Sequence, residues 1–160
     1  MTALRPLLPE DREAFQAFVR GLSAHARLNR FLAPIRELSP AALDALTRAD
    51  QARHVALVAT EDGRIVGEAR YVALGASGHA EFAVAVADGS QRSGIGARLL
   101  GALVHLARQA GLQVLEGEVL RTNAAMLAFV RRFGFSVRSC PGEAYLVIAE
   151  RQLDRVRRAA

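Results

Sequence analysis

His79-Ala-Glu-Phe-Ala-Val-Ala-Val-Ala-Asp-Gly-Ser-Gln-Arg-Ser-Gly-Ile-Gly-Ala-Arg-Leu-Leu100 contains an alternating strand, a polar turn, two glycines and the start of an amphipathic helix. In the strand, Phe82, Val84 and Val86 share one face, and Glu81, Ala83 and Ala85 share the other, because side chains alternate with a period of two. The spacing after Asp88-Gly89 predicts a helix whose apolar stripe is Ile95, Leu99, Leu103, Leu106 and Ala110, with Gly94 and Gly96 in its first turn. A helix N-terminus carries N–H groups with no internal partner and about half a positive charge. Gln91-Arg92-Ser93-Gly94-Ile95-Gly96 is thus suited to wrap a phosphate or pyrophosphate, with Arg92 adding a formal charge. A dinucleotide fingerprint would need glycine where Leu99 stands, and a P-loop would need a Gly-Lys-Ser/Thr ending that is absent.

The chain around this stretch reads as a single domain over residues 1–160, long enough to build a core. Hydrophobic residues make up 51% and charged residues 23%, which excludes a disordered class. No apolar run approaches the roughly 20 residues of a membrane span, and Met1-Thr-Ala-Leu-Arg-Pro6 has no signal-peptide core. A cytoplasmic location is expected, with no membrane partner. Cys140 is the only cysteine, so there is no internal disulfide framework, and no metal site is expected. A small apolar role on a late strand suits Cys140 better than nucleophilic chemistry.

All 21 basic residues are arginine and the formal charge is +5. They are scattered, densest at Arg151, Arg155, Arg157 and Arg158, and accompany no helix-turn-helix, zinc-finger or aromatic-basic strand pattern. Nucleic acid is therefore not expected as a partner. Some of this charge suits the phosphates of a cofactor. The sequence leaves room for a homodimer.

Outward from the central stretch, strands are predicted at 3–8, 54–60, 64–74, 114–120, about 135–139 and 144–149. Helices are predicted after Pro9-Glu10-Asp11, with Phe15, Phe18, Val19 and Leu22 as its stripe, and at 24–32, 40–49 and 123–133. Ser39 caps the helix that Pro40 opens, Glu61-Asp62-Gly63 signals a hairpin, and Gly111 suits a helix stop. This order implies an α/β (α+β) fold: a mixed, mostly antiparallel sheet of about seven strands flanked by helices.

Gln91-Arg92-Ser93-Gly94-Ile95-Gly96-Ala97 resembles the Q/R-x-x-G-x-G/A signature of the GNAT superfamily of acyl-CoA-dependent N-acetyltransferases. Asn123-Ala-Ala-Met-Leu-Ala-Phe-Val-Arg-Arg-Phe-Gly-Phe135 resembles the same family's asparagine-to-Gly-Phe segment at the usual distance. Arg5-Pro-Leu-Leu-Pro-Glu-Asp11, Arg30-Phe-Leu-Ala-Pro34, Glu81-Phe-Ala-Val84 and Gly117-Glu-Val-Leu120 look like the GNAT domain of bacterial protein lysine acetyltransferases. Those enzymes often carry a large acyl-CoA-synthetase-like region ahead of it, and these 160 residues correspond to the acetyltransferase part alone.

The resemblance implies acetyl-CoA as co-substrate and an amine acceptor, a protein lysine or a small molecule. It implies that Gln91, Arg92, Ser93, Gly94, Ile95, Gly96 and Ala97 grip the pyrophosphate. Main-chain groups of Val84, Ala85 and Val86 serve the acyl end, and Asn123 binds the pantetheine arm. An amine of pKa about 10.4 must lose a proton before it attacks, at about 4 to 5 kcal/mol at pH 7, so a carboxylate is needed nearby. Glu81 is the first candidate, since related lysine acetyltransferases place a glutamate there. Glu118 and Glu116, two apart and so on one strand face, are alternatives, and Glu68 is a weaker one.

Many relatives protonate the leaving thiolate with a tyrosine at the position held here by Val130, which leaves Tyr145, Tyr71 or solvent. That departure keeps a second reading open, a non-catalytic acyl-CoA sensor. His25, His54, His79 and His105 are isolated in sequence, with His79 close to Glu81. Arg27, Arg30 and Arg36 suit either an acidic acceptor or a solvated helix face.

Overall fold

The computed structural model describes residues 1–154; the expected tail arginines Arg155, Arg157 and Arg158 lie outside the described residues. The strands are β1 (Ala3–Pro6), β2 (His54–Glu61), β3 (Arg64–Ala73), β4 (His79–Val86), β5 (Val114–Leu120), β6 (Ser136–Cys140) and β7 (Glu143–Gln152). The helices are α1 (Arg12–Gly21), α2 (Ala24–Phe31), α3 (Pro40–Thr47), α4 (Ile95–Gln109) and α5 (Ala124–Arg132). The seven strands form one sheet in the order β1-β2-β3-β4-β5-β7-β6. β1–β2, β5–β7 and β6–β7 pair antiparallel, and β4–β5 pair parallel, the mixed, mostly antiparallel sheet anticipated above.

Local chemistry sets the boundaries. Asp62 and Gly63 both have positive φ, 50° and 75°, as a two-residue type I′ hairpin between β2 and β3 requires. Ser23 and Ser39 cap α2 and α3 by accepting the N–H of Ala26 and Ala42, and Pro40 fills the first helical position of α3. α4 ends at Gln109, with Gly111 at φ 78° just beyond it.

Contacts divide the chain into two compact units, Met1–Tyr71 with Ala83–Leu103, and Val72–Phe82 with Val104 onward. The first has a core of Leu7, Phe15, Phe18, Val19, Leu22, Leu38, Leu43, Ala56, Val58 and Ile65, including the whole stripe predicted for α1. At Gly67 a Cβ would stand 2.9 Å from Leu99 Cδ1 and 3.2 Å from Ile95 Cγ2, so its absence lets α4 press on β3. In the second unit Phe82 and Phe135 pack with ring centroids 4.9 Å apart, and Leu115, Val119, Val130, Val147 and Ala149 are buried.

Three expectations are corrected. α4 begins at Ile95, so Gly94 precedes the helix. Its buried stripe includes Leu100, Val104 and Ala107, while Leu106 is half-buried and Ala110 exposed, because a helix against a sheet buries two adjoining rows of side chains. β7 extends to Gln152, since its partner β5 continues the ladder to Gln152 opposite Val114.

Candidate active site

In the first unit, the end of β4 leads into the glycine loop. Ala87 N–H donates to Val66 O at 2.7 Å, which sets the antiparallel register of β3 and β4 in this unit. That register pairs Glu68 with Ala85 and Arg70 with Ala83. Hydrogen bonds alternate along such a ladder, so the N–H of Ala83 and Ala85 turns toward β3 and that of Val84 and Val86 turns away. The β4–β5 ladder runs from His79↔Val114 to Glu81↔Glu116, so Val84 and Val86 lie past it in sequence. The side chains of Val84 and Ile95 are buried, leaving only their main chain to contact a ligand.

After a short 3₁₀ turn at Asp88–Ser90, Gln91 Nε2 donates to Val86 O at 3.3 Å, tying loop to strand, and Ser93 Oγ donates to Ser90 O. Arg92 and Gly94 take left-handed φ values of 62° and 84°. Alternating backbone hands of this kind turn successive N–H groups inward on an anion. Arg98 N–H donates to Gly94 O at 3.0 Å, the first helical bond, so the N–H groups of Ile95, Gly96 and Ala97 precede any helical carbonyl. Residues 91–94 are exposed, and a Cβ at Gly94 would meet nothing within 4 Å. These residues fit a pyrophosphate.

In the second unit, Glu81 is exposed while Ala80 and Phe82 on either side are buried. Its register partner Glu116 accepts a hydrogen bond from His79 Nδ1–H at 2.9 Å and lies 3.7 Å from Arg138. Glu116 and Glu118 share the face away from buried Leu115, Gly117 and Val119, with Glu118 exposed. Asn123 caps α5, its Oδ1 accepting Met126 N–H at 3.2 Å, which leaves the amide nitrogen for another partner. Arg121 N–H donates to Tyr145 O, so Tyr145 stands beside the turn leading to Asn123. Its side chain is 60% exposed, and Glu143, with a smaller contribution from Glu118, pushes its phenol pKa up. Val130, where the resemblance leads one to look for a tyrosine, is wholly buried, and Tyr71 is nearly so.

Three candidates drop out. Glu68 is buried between Arg30, at 2.7 Å, and Arg70, at 2.6 Å. Burial alone would raise its carboxyl pKa, but the two guanidinium groups outweigh that and hold it low, so it takes no proton from an amine. Arg30 is committed to this pair, and Arg27 donates to the carbonyls of Ile35, Arg20 and Leu22. Neither is offered to an acidic acceptor. The sequence did not reveal this network, because its members lie on α2 and β3; an ionisable pair at Glu68 and Arg70 inside an otherwise apolar strand was the available hint.

Residues 23–135 match the acetyltransferase (GNAT) family. The chain belongs to that family. It is 38% identical to an acetyltransferase of Pseudomonas aeruginosa over 91% of this chain and 80% of that one. It is 36% identical to the acetyltransferase Pat of Mycolicibacterium smegmatis over 82% of this chain, spanning 40% of that longer protein. The crystal structure of the GNAT domain of S. lividans PAT superposes with a TM-score of 0.89 at 29% identity, covering 95% of this chain and 90% of that one. As a GNAT acetyltransferase the chain uses acetyl-CoA as its donor. Among the described residues no group of three or more His, Cys, Asp or Glu is arranged to hold a metal ion, and no helix is long and apolar enough to cross a membrane.

Proposed function

We propose that residues 1–160 form one acetyltransferase domain that moves an acetyl group from acetyl-CoA to a primary amine, a protein lysine or a small molecule, in the cytoplasm. The observation that carries this is the run from β4 into α4, where strand N–H groups turned away from β3 lead into a left-handed turn and a helix start whose first N–H groups precede any helical carbonyl. Acetyl-CoA supplies an activated thioester when bound. Gln91, Arg92, Ser93, Gly94, Ile95, Gly96 and Ala97 hold its pyrophosphate through main-chain N–H groups and the Arg92 charge. The free amide nitrogen of Asn123 holds the pantetheine arm.

The N–H groups of Val84 and Val86 stabilise the negative charge that develops on the carbonyl oxygen, and Ala85 between them keeps that stretch narrow. Glu81 takes the proton of the attacking amine, with Glu118 as the alternative base. Tyr145, whose phenol stays protonated at neutral pH, or solvent returns a proton to the leaving thiolate.

The test is release of free thiol from acetyl-CoA against polyamines, amino acids, aminoglycosides and lysine-containing proteins. Acceptor-dependent release supports the reading and names the acceptor class. Silence with retained acetyl-CoA binding supports a sensor instead.

A further inference from the structure

His79 was isolated in sequence, and the fold gives it a partner. Its Nδ1 lies 2.9 Å from Glu116 Oε1. A carboxylate offers only acceptors, so Nδ1 carries the hydrogen and the neutral ring presents the Nε2 lone pair on its other side. The side chain is 38% exposed, so Nε2 can meet water or substrate. A carboxylate behind an imidazole fixes the tautomer and stabilises the imidazolium that forms on protonation.

The neighbourhood is the one the proposed chemistry needs. His79 and Glu81 are two apart on β4, so they share a strand face with Cα atoms about 6.6 Å apart. Glu116 stands beside Glu81 in register on β5. The charged groups that the second unit carries on this face are Glu81 on β4, Glu116 and Glu118 on β5, Arg138 on β6 and Glu150 on β7, with Arg138 set between Glu116 and Glu150 at 3.7 and 3.5 Å. The Arg138 contact keeps Glu116 pinned whether or not His79 is charged.

Resting on the transferase reading above, we propose that His79, oriented by Glu116, is the group to which Glu81 passes the proton taken from the acceptor amine. The proton leaves the amine nitrogen for a Glu81 oxygen, moves directly or through one water to His79 Nε2, and goes from there to solvent. No electron pair other than those of the N–H and O–H bonds is displaced. An imidazole ordinarily holds a proton about two pKa units more tightly than a carboxylate. Ending the relay on His79 therefore makes removal of the ammonium proton less uphill than ending it on a carboxylate. His79 acts through Glu81 and is a positioning and relay residue.

The test is the pH dependence of kcat/KM for wild type, His79→Gln and Glu116→Gln, with acetyl-CoA and a lysine peptide, or spermidine if the peptide is inert. The wild type is expected to rise along an acidic limb in the imidazole range. His79→Gln loses that limb and falls about tenfold or more, with acetyl-CoA affinity unchanged. His79→Gly regains activity when imidazole is added. Glu116→Gln, which removes the carboxylate that orients the ring, lowers kcat/KM with acetyl-CoA affinity unchanged. A wild-type limb and plateau retained in His79→Gln overturn the proposal, as does a loss that imidazole does not repair. A wild type inert toward both acceptors that still binds acetyl-CoA removes the transferase reading and this proposal together, whereas an active wild type with an unaltered His79→Gln removes only the proposal.

Discussion

Arg30 on α2 and Glu68 on β3 form a nearly dry ion pair, Nε to Oε1 2.7 Å, with side chains 11% and 1% exposed. Arg70 closes on the other oxygen of Glu68 at 2.6 Å and donates to Leu46 O and toward His54 Nε2. No residue of α2 is fully buried, so the Arg30–Glu68 pair is a main tie between this helix and β3.

Breaking one arm of such a pair leaves a buried charge without its partner. Glu68→Gln is therefore expected to lower stability by about 3 to 5 kcal/mol, measured by urea unfolding. Replacing Arg30, Glu68 and Arg70 together by Met, Leu and Met is expected to recover most of that loss, because no charge is then stranded. A single substitution within about 0.5 kcal/mol of wild type would contradict the account.

The same cluster sets the acid stability. Burial, then the Arg70 charge, pushes the His54 imidazole below its ordinary 6.5. The unfolded chain then binds more protons than the folded one as the pH falls through 6.5, so stability declines there. Glu68 is held below its ordinary 4.5; its contribution is present above 4.5 and is lost as the pH falls further. The melting temperature should decrease in two stages, one as the pH falls through 6.5 and one below 4.5, and His54→Gln should flatten the upper stage alone.

Two glycines carry separable loads. At Gly117 a Cβ would stand 2.8 Å from Phe82 O and 2.9 Å from its ring, so Gly117→Ala must shift strand backbone and should cost about 1 to 3 kcal/mol. Gly94 has open space but φ 84°. Gly94→Ala should cost about 1 to 3 kcal/mol through strain and also weaken acetyl-CoA binding, which calorimetry would separate from the Gly117 effect.

Much of this was legible in the sequence. The Phe82/Val84 alternation, the Asp62-Gly63 turn and the Ser39-Pro40 start depend on neighbours a few residues apart, and each element formed where local chemistry put it. The roles of Glu68, Arg30 and His79 were not legible, because each is decided by a residue on another element: Arg30 meets Glu68 across 38 positions and His79 meets Glu116 across 37. Sequence could rank Glu68 as a base; only packing shows the two arginines that disqualify it.

Val130 is sealed in the core, and Tyr145 is the exposed phenol beside the α5 cap. Tyr145→Phe is expected to lower kcat about 10- to 100-fold with acetyl-CoA affinity unchanged, while Tyr71→Phe leaves transfer intact. Equal rates for Tyr145→Phe and wild type would assign thiolate protonation to solvent.

The most direct test of the account compares wild type and Glu81→Gln for acceptor-dependent thiol release and, separately, for acetyl-CoA affinity. The substitution keeps the shape of an exposed strand residue and removes the carboxylate that takes the proton. Turnover falling about 100-fold with affinity unchanged is the predicted result. Undiminished turnover would contradict Glu81 as the base and shift the assignment to Glu118.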